Sequence, residues 1–235
     1  MKQLLIAHRG YSAEYPENTQ LAFDKAVEYK FDGVEIDVHL CKTGEAVIIH
    51  DEMINRTSDM QGVVRDMTLE ELRKANFAHG TEFKEKQTIM TLDEFFDRYQ
   101  KSLGWFNIEL KTDMYKYKGI EKIVNDLIIK YNLVDKTSIS SFHFNTLKRF
   151  KKVNPDIPLA FLWETKKQWK KVSDEEKKEI CTYLNPHFMI YKYDVKYFDS
   201  LGMKYNVWTI NTEKETRNIK MHNKIVSRIS NGAFH

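Results

Sequence analysis

The 235 residues are 42% hydrophobic and 13% aromatic, enough for one full-sized core and a natural length for a single α/β barrel. Thirty-seven basic residues against 34 acidic ones leave a formal net charge of +3. That balance argues against nucleic acid as the main partner, since polyanion binding rests on a strong basic excess or a clustered patch.

Cys41 and Cys181 stand far apart without CxxC spacing, which speaks against a disulfide framework or a zinc ribbon and fits a reducing compartment. In MKQLLIAH the apolar stretch is too short for a signal-peptide core, and no run approaches the roughly 18 apolar residues of a membrane span. A soluble, cytoplasmic chain without stable membrane insertion is expected.

In chain order, an apolar β-rich run at 4–7 is followed by a helical pattern at 18–30, and runs at 34–38 and 47–49 come next. Beyond them lie a run at 106–110, a helix at 119–132, a run at 138–140, a helix at 144–154, a run at 159–163 and a helix at 173–184. The last runs are 188–191, 205–210 and 225–229. Strand alternating with helix predicts a parallel sheet, here repeated often enough to close.

Nine runs are one too many for a (β/α)8 barrel. Only CKTGE separates Leu40 from Ala46, too little for a parallel crossover, so the second and third runs form an antiparallel hairpin turning at Thr43-Gly44. The expected fold is therefore a TIM (β/α)8 barrel over 1–235 with a small insertion on the catalytic rim at about 52–104. Helix signals at 67–77 and 91–100 lie inside that interval, with Thr68 and Thr91 as N-caps and Glu71 and Glu94 as capping-box partners.

The chemistry gathers where barrel strands end. In GVEIDVHLCKTGEAVIIHD (33–51), apolar Val34, Ile36, Val38 and Leu40 alternate with Glu35, Asp37 and His39, the pattern of a half-buried strand. Glu35 and Asp37 thus share a face about 7 Å apart, and the hairpin returns His50 and Asp51 beside them. The first run ends in His8, Arg9 and Gly10, while FNIELK sets Asn107, Glu109 and Lys111 on one face. Three carboxylates this close repel unless a cation sits among them. Hard oxygen ligands suit Mg2+ or Ca2+ better than Zn2+. Arg9 and Lys111 add charge aimed at an anion, and a guanidinium fork fits phosphate oxygens. A metal, cations and two imidazoles together suit hydrolysis of a phosphodiester, one histidine accepting a proton and the other protonating the leaving oxygen.

AHRGYSAEYPENTQLAF, GVEIDVHLCKTGEAVIIHDEMINRT, TLDEFF, FNIELK, SSFH and VWTIN resemble, in order and spacing from residue 7 to about 211, the motifs of the glycerophosphodiester phosphodiesterase family. The resemblance implies a TIM barrel with an insertion after the HD motif, and hydrolysis of glycerophosphodiesters to glycerol 3-phosphate and an alcohol. It implies that Glu35, Asp37 and Glu109 hold Mg2+ or Ca2+, that His8 and His50 are the acid/base pair, that Arg9 and Lys111 hold the phosphate, and that Trp208 packs against glycerol carbons. Attack by the glycerol 2-hydroxyl, giving a cyclic phosphate that water opens, is also implied. Met90 stands where the family commonly has a proline, and the final strand, KIVSRISNGAF, departs from the usual pattern.

Other readings compete. The same site could serve lysophospholipids or other phosphodiesters, or a silent barrel could merely bind phosphate esters, which would require a lost ligand or histidine. His39 could be a ligand but sits nearer the hairpin tip. Glu17 and Asn18 either support the site or cap the following helix, and His143 reads as a helix cap. Lysine-dense 164–179, with Trp169, reads as a solvated helix approach rather than a polyanion site.

Overall fold

The computed structural model describes residues 3–220 and 222–234. The described residues form nine strands: β1 (Leu4–His8), β2 (Gly33–Leu40), β3 (Ala46–Ile48), β4 (Phe106–Leu110), β5 (Thr137–Ser141), β6 (Leu159–Trp163), β7 (Tyr183–Pro186), β8 (Lys204–Val207) and β9 (Ile225–Ser230). Their order, β1-β9-β8-β7-β6-β5-β4-β2, is closed by a β1–β2 pairing, and β3 lies outside the ring, antiparallel to β2. Eight parallel strands with helices between them make the TIM barrel that the sequence predicts, hairpin included.

Register positions the site. Opposite His8 of β1 stands Glu35 of β2, and opposite Asp37 of β2 stands Glu109 of β4. Neighbouring strands lie only about 4.8 Å apart, so charges in one rung meet. Every residue of β2 is buried, not only its apolar half. A closed barrel covers both strand faces, and the polar face of β2 points inward rather than to solvent.

The hairpin turns where expected: Gly44 has φ +96° and its N–H donates to the Cys41 carbonyl at 3.0 Å. Both predicted capping boxes form, Thr68 with Glu71 and Thr91 with Glu94. Between β3 and β4, Ile54, Val64, Leu72, Phe77 and Ile89 pack with Val47 and Ile49 as a small separate core. The helix Leu92–Tyr99 instead sends Leu92, Phe95, Phe96 and Tyr99 into the main core.

One pair of elements is exchanged relative to expectation. Residues 188–191 are not a strand but belong to the helix Phe188–Tyr193, while Tyr183–Pro186, expected at the end of a helix, is β7. Phe188 and Tyr191 are buried and Met189 is exposed, a spacing of three that suits a helix. Trp169 is buried, donates its indole N–H to the Tyr197 hydroxyl at 2.9 Å and lies under Lys177 Nζ, so it offers no open stacking face. Among the described residues, no helix is long and apolar enough to cross a membrane.

Candidate active site

A cleft of about 490 Å³ opens at the carboxyl ends of the strands, with His8, Arg9, Glu35, His50, Asn107 and Glu109 in its lining. The turn after β1 is built by unusual backbone. Arg9, Gly10 and Asn18 all have positive φ, +57°, +80° and +55°. Gly10 is required there, because a Cβ would sit 2.7 Å from Ala22 Cβ and 2.9 Å from the Ala22 carbonyl oxygen. Thr19 caps the helix Gln20–Glu28, accepting from the Ala22 N–H.

Glu35, Asp37 and Glu109 are buried, and each offers an oxygen within 4.8 Å of the other two. Arg9 Nε lies 3.2 Å from Asp37 Oδ2, and the Asn18 side-chain amide donates to the same oxygen at 2.9 Å. Lys111 donates to Glu109 Oε1 at 2.9 Å and stands 3.8 Å from Asp37 Oδ1. Asp37 Oδ1 is fully buried with no hydrogen-bond partner. An orphaned carboxylate oxygen in a buried group of three carboxylates fits a hard divalent cation, so the three residues can hold a metal ion.

Electrostatics agrees. Burial, then repulsion from Asp37 and Glu109, pushes the Glu35 carboxyl well above the usual carboxylate range. Burial also raises Glu109, with Asp37 adding to it and Lys111 opposing. For Asp37 burial works upward, but Lys111 and Arg9 outweigh it and hold the group well below the ordinary value. Burial followed by the nearby Arg9 charge lowers His8 from 6.5 to about 4, so its imidazole is neutral near pH 7.

The two imidazoles are held differently. His8 Nδ1 is 2.6 Å from Asn231 Oδ1, and its Nε2 is 3.8 Å from Glu35 Oε2. His50 Nδ1 is 2.5 Å from Asp51 Oδ1. Trp208 lies just past β8 in the cleft wall, donating to the Asn185 carbonyl at 2.7 Å and meeting Phe142 edge-on at 5.6 Å between ring centres.

All eight residues singled out from sequence therefore gather at one barrel mouth. His39 does not join the metal group: its ring contacts the Tyr117 hydroxyl at 2.9 Å and the His50 carbonyl at 3.1 Å. His143 takes the helix N-cap position without a capping bond, its Nδ1 3.1 Å from Thr146 Oγ1. Sequence reasoning missed Asn231 and Arg56. Asn231 follows β9 directly, so the strand-end rule could have found it.

Such a barrel mouth, with clustered carboxylates, paired imidazoles and buried cations, defines a TIM-barrel phosphodiesterase. The model of the glycerophosphoryl diester phosphodiesterase family matches residues 8–226, and the chain belongs to that family. A protein of unassigned activity from Mycoplasma genitalium is 40% identical over 238 residues, 99% of this chain and 97% of its own length. A glycerophosphodiester phosphodiesterase from Caldanaerobacter subterraneus subsp. tengcongensis is 41% identical over 167 residues, 70% of this chain and 68% of its own. An Oleispira antarctica phosphodiesterase, solved in complex with the product sn-glycerol-3-phosphate, superposes with a TM-score of 0.80 at 26% identity, covering 98% of this chain and 93% of that one.

Proposed function

We propose that this chain hydrolyses glycerophosphodiesters to glycerol 3-phosphate and an alcohol, using an ion, Mg2+ or Ca2+, held by Glu35, Asp37 and Glu109. The observation that carries the reading is the buried group of three carboxylates in which Asp37 Oδ1 has no hydrogen-bond partner, with Arg9 and Lys111 beside Asp37. With the ion bound, carboxylate repulsion is offset and a phosphoryl oxygen is polarised. Arg9 and Lys111 bind the remaining phosphate charge.

His8 and His50 are the proton carriers. His8, set against an amide oxygen and neutral, accepts the proton of the attacking hydroxyl, the glycerol 2-hydroxyl or water. His50, backed by the Asp51 carboxylate that stabilises an imidazolium, gives a proton to the leaving oxygen as its bond to phosphorus breaks. Trp208 packs against the glycerol carbons. The Oleispira product complex supports glycerol 3-phosphate as the retained half.

The test is glycerol 3-phosphate release from glycerophosphocholine by chelator-treated protein, before and after adding Mg2+ or Ca2+. Activity is expected to vanish in chelator and return with the ion. Full turnover in excess chelator would remove the metal from the proposal, and release of choline phosphate would refute the bond assignment.

A further inference from the structure

Arg56 ends a short 3-10 segment, Ile54–Arg56, just after the hairpin and is part of neither the cleft lining nor the metal group. Its guanidinium nonetheless lies between two carboxylates. Nε donates to Asp51 Oδ2 at 2.6 Å and Nη2 to Asp51 Oδ1 at 3.1 Å. On the other side, Nη1 donates to Glu17 Oε2 at 2.9 Å and Nη2 to Glu17 Oε1 at 2.8 Å. Each carboxylate in turn holds a residue of the site: Asp51 Oδ1 is 2.5 Å from His50 Nδ1, and Glu17 Oε1 accepts from Arg9 Nη1 at 3.1 Å.

We propose that Arg56 is a positioning residue that fixes His50 through Asp51 and Arg9 through Glu17, joining the proton carrier and the phosphate anchor in one charged chain. This rests on the roles given above to His50 and Arg9. The guanidinium fork makes four hydrogen bonds, two to each carboxylate, which the three donors of a lysine ammonium cannot reproduce. With Asp51 accepting from Nδ1–H, the proton that His50 gives up is confined to Nε2.

A purely structural role fits less well. The Arg56 side chain is 49% exposed, and exposed pairs contribute little to stability. Its turn is already secured by the buried Ile54 and by the Ile54 N–H donating to the Gly62 carbonyl at 3.0 Å.

The test compares full-length wild type, Arg56→Ala and Arg56→Lys with the divalent ion present. Kinetics on glycerophosphocholine are read beside thermal melting and the ring nitrogen resonances of His50 in 15N-labelled protein. Arg56→Ala should melt close to wild type, lose about 10-fold or more in kcat and raise KM. Arg56→Lys should recover only part of the loss, and the Nδ1 resonance of His50 should shift and broaden as its bond to Asp51 loosens. Glu17→Gln should act mainly on KM and Asp51→Asn mainly on kcat. Adding Arg56→Ala to Asp51→Asn should lower kcat little further.

Unchanged kinetics in folded Arg56→Ala, or fully additive losses in the double variant, would overturn the proposal. Should Arg56→Ala not fold, the split between Glu17→Gln and Asp51→Asn decides, identical effects of the two counting against it. A wild type inactive on every phosphodiester would sink the functional reading instead, while the His50 resonances would still report on Arg56.

Discussion

His8 and His50 face one cleft with different partners, an amide on one side and a carboxylate on the other. If they carry protons as proposed, His8→Ala and His50→Ala each lower kcat by ~10²-fold or more while the ion still binds. Steady-state kinetics with a parallel metal titration checks this, and a variant with wild-type kcat leaves the mechanism. At this scale the site was legible in sequence wherever a strand rule fixed it. Glu35, Asp37 and Glu109 follow from period-2 alternation, and His8 and Lys111 from strand ends. Arg56 was not, because nothing local marks an arginine that reaches Glu17, 39 positions away; Asn231 stands at a strand end, but no local pattern shows that it reaches His8 across 223 positions.

Among the elements, the turn from β1 into the helix Gln20–Glu28 controls the site most directly. Gly10 packs against Ala22 with φ +80°, and the neighbouring Arg9 N–H donates to the Glu35 carbonyl at 2.9 Å. Gly10→Ala meets backbone on one side and left-handed strain on the other, at a cost of about 1–3 kcal/mol. Melting should therefore fall by roughly 2–12 °C for a chain of this size, and kcat should fall with it as Arg9 shifts. Calorimetry beside kinetics checks this; an unchanged melting point would show that the helix can yield. Elements with strong periodicity and caps were readable, such as the two capping boxes and the hairpin. The exchange near 183–191 has a physical cause. β7 has only four residues and ends in Pro186, whereas Phe188-Met189-Ile190-Tyr191 carries strand-forming side chains on a segment whose burial repeats every three residues. Short apolar runs of this kind do not reveal their period from composition.

For the whole molecule, the barrel mouth couples folding to protons and, with the proposed ion, to metal binding. Glu35 has a folded-state pKa raised above its ordinary value, so the metal-free fold binds that proton more tightly than the unfolded chain. Its contribution to stability is present below the ordinary carboxylate pKa and is lost as pH rises through the raised one. Asp37, held low, behaves in the opposite sense and loses its contribution as the medium turns acidic. Glu35→Gln removes the repelled charge without changing the shape of the side chain. In chelator the variant should thus melt above wild type, by a margin that widens from about pH 5 to about pH 8. An ion bound by all three carboxylates reverses the order. At ~100 times its dissociation constant it stabilises wild type by about 2.7 kcal/mol, or roughly 5–11 °C, and the variant by much less. Melting curves at both pH values, with and without Mg2+ or Ca2+, test the reversal; equal shifts in the two proteins would mean that Glu35 takes no part in holding the ion.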